Sequence, residues 1–129
     1  MAFKLLVVDD DRAITDMLKQ MLLNSGYDVA VAYDGEEALL KIKGENPDII
    51  ILDLMLPKLN GFEVLKIIRE DARDKWRPVI IISAKNELES VQKCYEMEAD
   101  HYLTKPCPLE RVLKGVETMI SLIPARKKQ

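Results

Sequence analysis

The sequence predicts an α/β protein: a five-stranded parallel sheet with helices on both faces, which is a three-layer α/β/α sandwich. The first observation is that short apolar runs alternate five times with stretches of helical periodicity, which is the pattern of repeated βα units. The second is the run Ile49-Ile50-Ile51, which is typical of a strand buried on both faces, as in parallel sheets. Right-handed crossovers between parallel strands then place the helices on both faces.

The apolar runs predict five strands, at residues 3–8, 27–32, 48–52, 78–83 and 101–103. Between the first two strands, apolar residues recur at helical spacing from Ile14 to Leu22. Gly26 can adopt the left-handed conformation that commonly ends a helix. The first helix is therefore predicted at residues 12–25.

Cap signals place the other helices. Asp34, with Glu37 three residues later, fits a capping box for the second helix, which ends near Gly44. The third helix follows Gly61, and the run Asn86-Glu87-Leu88-Glu89 repeats the capping device for the fourth. The fifth starts at Pro108, a residue suited to a first helical turn. Its predicted buried face comprises Val112, Leu113, Val116, Met119 and Ile120.

Length and composition indicate one ordinary globular domain. The chain has 129 residues, of which 48% are apolar and 32% charged, and its net charge is −3, which gives no reason to expect attraction to nucleic acid or membranes. We expect one domain at residues 1–124, with residues 125–129 as a basic tail or linker stub. No apolar stretch approaches the ~20 residues of a membrane span, and no signal peptide precedes the first strand, so we expect a cytoplasmic protein.

The two cysteines and the single histidine do not lie in a pattern typical of metal binding. Cys94 and Cys107 lack the spacing of metal ligands, so we expect both to be packing residues. His101 has no nearby pattern of ligands and is predicted to be an exposed strand residue.

Residues whose side chains can take part in chemistry lie at or just after the ends of four predicted strands. They are the acids Asp9-Asp10-Asp11, then Asp53, Ser83 and Lys105. Each has an ordinary structural explanation when taken singly: Asp11 fits a helix cap, and Ser83 fits a backbone-bonding hydroxyl.

Their joint placement points to a site. The carboxyl ends of parallel strands share one edge of the sheet, and in the flavodoxin-like order usual for such sheets the first and third strands are neighbours. Clustered carboxylates repel one another unless a cation joins them, and carboxylate oxygens favour a hard ion such as Mg²⁺. With Lys105 to attract an anion and Ser83 to donate to a phosphoryl oxygen, the group predicts a site for an aspartyl phosphate.

The chain resembles the response-regulator receiver domain of bacterial two-component signalling, the family that contains the chemotaxis regulators, from about residue 3 to residue 123. The motifs that carry the resemblance are Val7-Val8-Asp9-Asp10-Asp11, Asp53 with Pro57 and Gly61, Pro78-Val79-Ile80-Ile81-Ile82-Ser83-Ala84, and Tyr102-Leu103-Thr104-Lys105-Pro106.

The resemblance implies the flavodoxin-like strand order 2-1-3-4-5. It also implies a role for each matching residue near the acids. Asp53 is the expected phosphoacceptor. Asp9 and Asp10, together with Asp53 and the backbone carbonyl of Met55, are the expected ligands of Mg²⁺.

The resemblance also implies a switch. Lys105, before a cis bond to Pro106, is expected to contact the phosphoryl group, and Ser83 to move toward it. Tyr102 is the expected aromatic switch, which rotates inward and alters the surface of helix four, strand five and helix five.

The implied function is that of a phosphorylation-activated signalling switch. The phosphoryl donor would be a sensor histidine kinase or a histidine phosphotransfer protein. The receiver would catalyse only its own phosphorylation and dephosphorylation, so it is not expected to be a free-standing enzyme. Its output would be a downstream effector protein or a tethered output domain, and a phosphorylation-dependent dimer is an open outcome.

One departure from the family concerns the output. Gly115 occupies a position at which DNA-binding members of the winged-helix class carry an arginine of their active dimer.

Two alternatives stay open. Asp9-x-Asp11 also resembles the nucleophile pair of haloacid-dehalogenase-like phosphatases, although Arg12-Ala13 stands where Gly-Thr is expected. A pseudo-receiver that binds partners without phosphorylation is the other, and the intact acids, Ser83 and Lys105 speak against it.

Overall fold

The computed structural model describes residues 3–85 and 87–127. The strands of the sheet are β1 (Lys4–Val8), β2 (Asp28–Ala32), β3 (Ile49–Leu52), β4 (Val79–Ser83) and β5 (His101–Thr104). The helices are α1 (Arg12–Asn24), α2 (Gly35–Glu45), α3 (Gly61–Glu70), α4 (Leu88–Glu96), α5 (Leu109–Ile120) and α6 (Ile123–Lys127). The five strands lie within one residue of their predicted bounds. No helix in the described ranges is long and apolar enough to cross a membrane.

The sheet has the strand order β2-β1-β3-β4-β5, with all pairs parallel, as predicted. The register pairs Val8 of β1 with Leu52 of β3, so these two strands end at the same level. The backbone continues the ladder one step further, because Asp53 N donates to Val8 O at 3.0 Å. The residues that follow β1 and β3 are therefore neighbours at the carboxyl edge.

Two apolar layers hold the sheet between the helices. Ile50 packs in one layer with residues of α2 and α3, whereas Ile49 and Ile51 pack in the other with residues of α1 and α5. The three consecutive isoleucines are fully or almost fully buried, because a strand covered on both faces buries every side chain. Cys94 belongs to the first layer and Cys107 packs against the second, which confirms their packing role.

Side-chain caps begin α1 and α2, as predicted. Asp11 Oδ1 accepts a hydrogen bond from Ala13 N at 3.0 Å, and Asp34 Oδ1 accepts one from Glu37 N at 2.8 Å. The reciprocal bond of the predicted capping box is displaced by one residue, since Glu37 accepts from Tyr33 N instead of from the cap residue itself.

The starts of the later helices differ from the predictions. A complete capping box joins Asn60 and Glu63 at the start of α3, which was not predicted. Helix α4 begins at Leu88, and the predicted cap residue Asn86 lies outside the described residues. Pro108 is the N-cap of α5, one residue earlier than a first-turn position.

The prediction for His101 is wrong, because this residue is half-buried. The reason lies on α5, where the buried Gly115 presents no side chain to the sheet. A Cβ at Gly115 would lie 3.4 Å from His101 Cδ2, so the imidazole lies against the helix.

Candidate functional site

The acids predicted from the strand ends come together at the carboxyl edge. Asp9 and Asp53 follow β1 and β3 and are only 4% and 5% exposed, whereas Asp10 is exposed. Each of the three offers a carboxylate oxygen, and these oxygens lie within 4.8 Å of one another. Asp11 faces its own helix as a cap, so the cluster is formed by Asp9, Asp10 and Asp53.

Backbone amides orient the two buried carboxylates. Asp9 Oδ1 accepts a hydrogen bond from Asp11 N at 2.9 Å, and Asp53 Oδ1 accepts one from Met55 N at 3.1 Å. The second oxygen of each carboxylate bonds one shared donor: Lys105 Nζ lies 2.7 Å from Asp9 Oδ2 and 2.9 Å from Asp53 Oδ2. The ammonium therefore bridges the ends of β1 and β3 from beyond β5.

The backbone also holds Lys105 in place. Its N–H donates to Ser83 O at 2.8 Å, which extends the pairing of β4 and β5. The following peptide bond, to Pro106, is cis, as the resemblance implies.

The charges of the cluster are not balanced. Burial raises the pKa of Asp9, and the hydrogen bonds from Lys105 and Asp11 only partly offset this effect. Burial disfavours the Lys105 ammonium, but its hydrogen bonds to Asp9 and Asp53 prevail and raise its pKa. Lys105 is thus charged at neutral pH and bonds two acids, Asp9 and Asp53, while Asp10 is a third acid of the same cluster. Carboxylates arranged in this way can hold a hard divalent cation.

Ser83 and Tyr102 meet at the loop that follows β4. Ser83 is fully buried, and its Oγ accepts a hydrogen bond from Lys85 N at 3.3 Å. The half-buried Tyr102 donates its hydroxyl to Lys85 O at 2.5 Å, and burial raises the pKa of Tyr102.

The Lys85 main chain thus bonds both residues predicted to form the switch. Sequence reasoning missed it, because any residue type supplies these main-chain groups.

Comparison with known proteins identifies the family. The model of the response regulator receiver domain matches residues 5–117. The chain belongs to this family. Residues Asp9, Asp53, Ser83 and Lys105 of this receiver domain all lie inside the matched range.

Curated relatives are about twice as long as this receiver domain. The alkaline phosphatase synthesis transcriptional regulatory protein PhoP of Bacillus subtilis is 48% identical over 117 residues, which are 91% of this chain and 48% of that protein. The response regulator MprA of Mycobacterium bovis is 37% identical over 120 residues, which are 93% of this chain and 51% of that protein. The receiver domain therefore spans about half the length of these relatives.

Solved structures share the whole fold. The chemotaxis response regulator CheY4 of Vibrio cholerae superposes with a TM-score of 0.86 at 33% identity, covering 92% of this chain and 99% of that one. The BeF3-activated DrrB receiver domain superposes with a TM-score of 0.83 at 32% identity, covering 94% of this chain and 99% of that one.

Proposed function

We propose that this receiver domain is a switch activated by transfer of a phosphoryl group to Asp53. The observation that supports this most directly is the pair of buried carboxylates, Asp9 and Asp53, that share the Lys105 ammonium. A fold gains little from burying two acids on one cation, so their retention at the carboxyl edge favours a chemical role.

The same residues fit Mg²⁺. Three acids against one ammonium leave excess negative charge, and their oxygens are close enough to share an ion. We assign Asp9, Asp10, Asp53 and the backbone carbonyl of Met55 as its ligands. When bound, Mg²⁺ would neutralise negative charge on the phosphoryl oxygens.

Asp53 is the proposed nucleophile. The hydrogen bond from Met55 N holds one of its oxygens and fixes the orientation of the carboxylate. The other oxygen attacks phosphohistidine: an O–P bond forms as the N–P bond breaks, and the electron pair returns to the imidazole of the donor. Lys105 then offers its ammonium hydrogens to a phosphoryl oxygen. The donor is a sensor histidine kinase or a histidine phosphotransfer protein, and the receiver catalyses only its own modification and its reversal.

The proposed output runs through Ser83 and Tyr102 to the face formed by α4, β5 and α5. Their shared contact with Lys85 supports this route, since a Ser83 that turns toward a phosphoryl group must release the Lys85 amide. Helix α4, one element of this face, exposes two large apolar side chains, Leu88 and Tyr95.

We extend the proposal to the partners. The output is a downstream effector or a domain tethered through residues 125–129 to a receiver at residues 1–124, in a cytoplasmic protein. The share of the curated relatives that this chain covers supports a tethered domain.

Phosphate incorporation tests the proposal. The protein is incubated with acetyl phosphate and Mg²⁺, and the acyl phosphate is quantified for the wild type and for Asp53→Asn, Asp9→Asn and Asp16→Asn. We expect no incorporation in Asp53→Asn, at least a tenfold slower rate in Asp9→Asn, and the wild-type rate in Asp16→Asn, since Asp16 is an exposed residue of α1.

The contrary outcomes are distinct. Label that survives in Asp53→Asn but disappears in Asp9→Asn would favour the phosphatase alternative. A wild type that takes no label and binds no beryllofluoride with Mg²⁺ would favour a pseudo-receiver.

A further inference from the structure

The loop between β3 and α3, residues 54–60, carries Met55 and is closed at both ends. At its start, Met55 N bonds the Asp53 carboxylate. At its end, Gly61 N donates to Leu54 O at 2.9 Å. A Cβ at Gly61 would lie 2.3 Å from Asp53 O, so the first turn of α3 lies directly against the backbone of Asp53.

The middle of this loop lies against the start of another helix. Gly35, the first residue of α2, is buried. A Cβ at this position would lie 2.1 Å from Leu59 O and 2.5 Å from Leu59 Cβ. No other residue fits without movement of the backbone, because real Cβ atoms do not approach a carbonyl oxygen so closely. Gly35 N also lies 3.4 Å from Pro57 O, to which it donates.

Neighbouring residues strengthen the same contact. Asp34 caps α2 and places its second oxygen 3.6 Å from Lys58 Nζ. Lys58 has a φ of 69°, which is uncommon for a residue with a side chain. Leu59 packs against the apolar layer below. Contacts with the start of α2 and with the apolar layer thus hold three consecutive residues of the loop, 57–59.

We propose that Gly35 is a positioning residue for the loop of residues 54–60, and through it for the groups of Met55 and Asp53. Because Gly35 has no side chain, the first turn of α2 abuts the Leu59 backbone and sets the path of the loop between its two closed ends. Only the metal-binding consequence rests on the proposed function.

The experiment compares two glycines of the same helix. In Gly35→Ala the new methyl group must displace the loop, whereas in Gly44→Ala it enters open space. Amide hydrogen exchange of residues 54–60 is measured in the metal-free proteins, and Mg²⁺ affinity is measured by titration calorimetry with MgCl₂. For Gly35→Ala we expect exchange at least tenfold faster in the loop and Mg²⁺ affinity at least fivefold weaker, with both within twofold of wild type in Gly44→Ala.

A third variant separates positioning from stability. Val116→Ala removes buried methyl groups from the other apolar layer, and we expect its Mg²⁺ affinity to stay within twofold of wild type despite its lower stability. If Gly35→Ala does not fold, Asp34→Ala replaces it: loss of the cap frays the first turn of α2 and should raise exchange in the loop.

Other results would overturn the proposal. These are unchanged loop exchange in Gly35→Ala or, failing that variant, in Asp34→Ala, or a faster loop with unchanged Mg²⁺ affinity. Should the wild type bind no Mg²⁺ while Gly35→Ala still speeds loop exchange, the proposed function fails and the positioning contact stands.

Discussion

Asp9 and Asp53 both bond the ammonium group of Lys105, and this shared contact sets the chemistry available at the residue scale. Each carboxylate has one oxygen held by a backbone amide and one by Lys105. Neither acid can relax away from the other, because both follow buried neighbouring strands. The site therefore keeps a repulsion that burial makes stronger.

Burial of Asp9, with a smaller contribution from the nearby Asp53 charge, makes the metal-free fold sensitive to pH. Because the pKa of Asp9 is raised in the folded protein above its ordinary 3.8, protonation favours the folded state. That contribution is fully present below pH 3.8 and is lost as the pH rises through the higher folded value. Asp9 therefore stabilises the fold less at pH 7 than in acid.

We accordingly predict that Asp9→Asn raises the free energy of unfolding at pH 7 by about 1 to 2 kcal/mol, the scale of a partly screened charge pair. The gain should shrink toward zero at pH 3. Urea denaturation without Mg²⁺ measures it, with Asp16→Asn as an exposed control. A loss of stability at pH 7 would contradict this assignment of charges.

The side chain of Met55, two residues beyond Asp53, is 56% exposed. An apolar side chain there limits the approach of water to a phosphorylated Asp53, so Met55→Asn should shorten the phosphoryl half-life, by about threefold. Decay of the labelled protein gives the half-life. Equal half-lives for the two proteins would remove any role for Met55 in shielding.

At the element scale, the helices differ in how their ends are made. Helices α1, α2 and α3 start at side-chain caps, while α4 and α5 have no side-chain hydrogen bond at their N-caps. Helix α2 is followed by its C-cap, Asn46, which adopts the left-handed conformation. The two glycines of this helix differ in what they contact. Gly35 is required by a close contact, whereas Gly44 contacts nothing within 4 Å of a Cβ.

Gly44→Ala is therefore expected to stabilise the protein by about 0.5 to 1 kcal/mol, the difference in helix propensity at an exposed helical position, here in the last turn of α2. Thermal or urea unfolding would measure the gain. A destabilised Gly44→Ala protein would mean that α2 is not a regular helix at this residue.

At the scale of the whole molecule, Asp100 connects elements that are distant in sequence. One of its oxygens accepts from Arg69 Nη2 at 2.9 Å and from Val79 N at 2.8 Å. The other accepts from Arg126 of α6. The side chain of Arg69 is only 8% exposed and donates to three backbone carbonyl oxygens besides. Burial lowers the pKa of Arg69, and the nearby Asp100 opposes this effect.

Asp100→Asn should thus cost about 2 to 3 kcal/mol, since it leaves a buried guanidinium without its counter-charge. The free energy of unfolding in urea gives the cost. Asp16→Asn, on an exposed face, should change it by less than about 0.5 kcal/mol. If the two variants were equally stable, the Asp100 network would have no net role in stability.

Local patterns were sufficient for the strands but not for every helix. A run such as Ile49-Ile50-Ile51 can bury all of its side chains only in a sheet covered on both faces. The predicted and observed strand bounds therefore agree closely. Helix α6 escaped prediction because its five residues carry no periodicity, and its Arg126 finds Asp100 only after the chain has folded.

The sequence by itself determined the fold class and the set of chemical groups at the carboxyl edge, because parallel strands bring their ends together whatever follows them. Only the tertiary structure decided which partners these groups contact. It joined Asp9 and Asp53 through Lys105, set Tyr102 and Ser83 on the backbone of Lys85, and laid Gly35 on the loop beside Asp53. Such contacts depend on distances between backbones far apart in the chain, and a residue pattern carries no record of those distances.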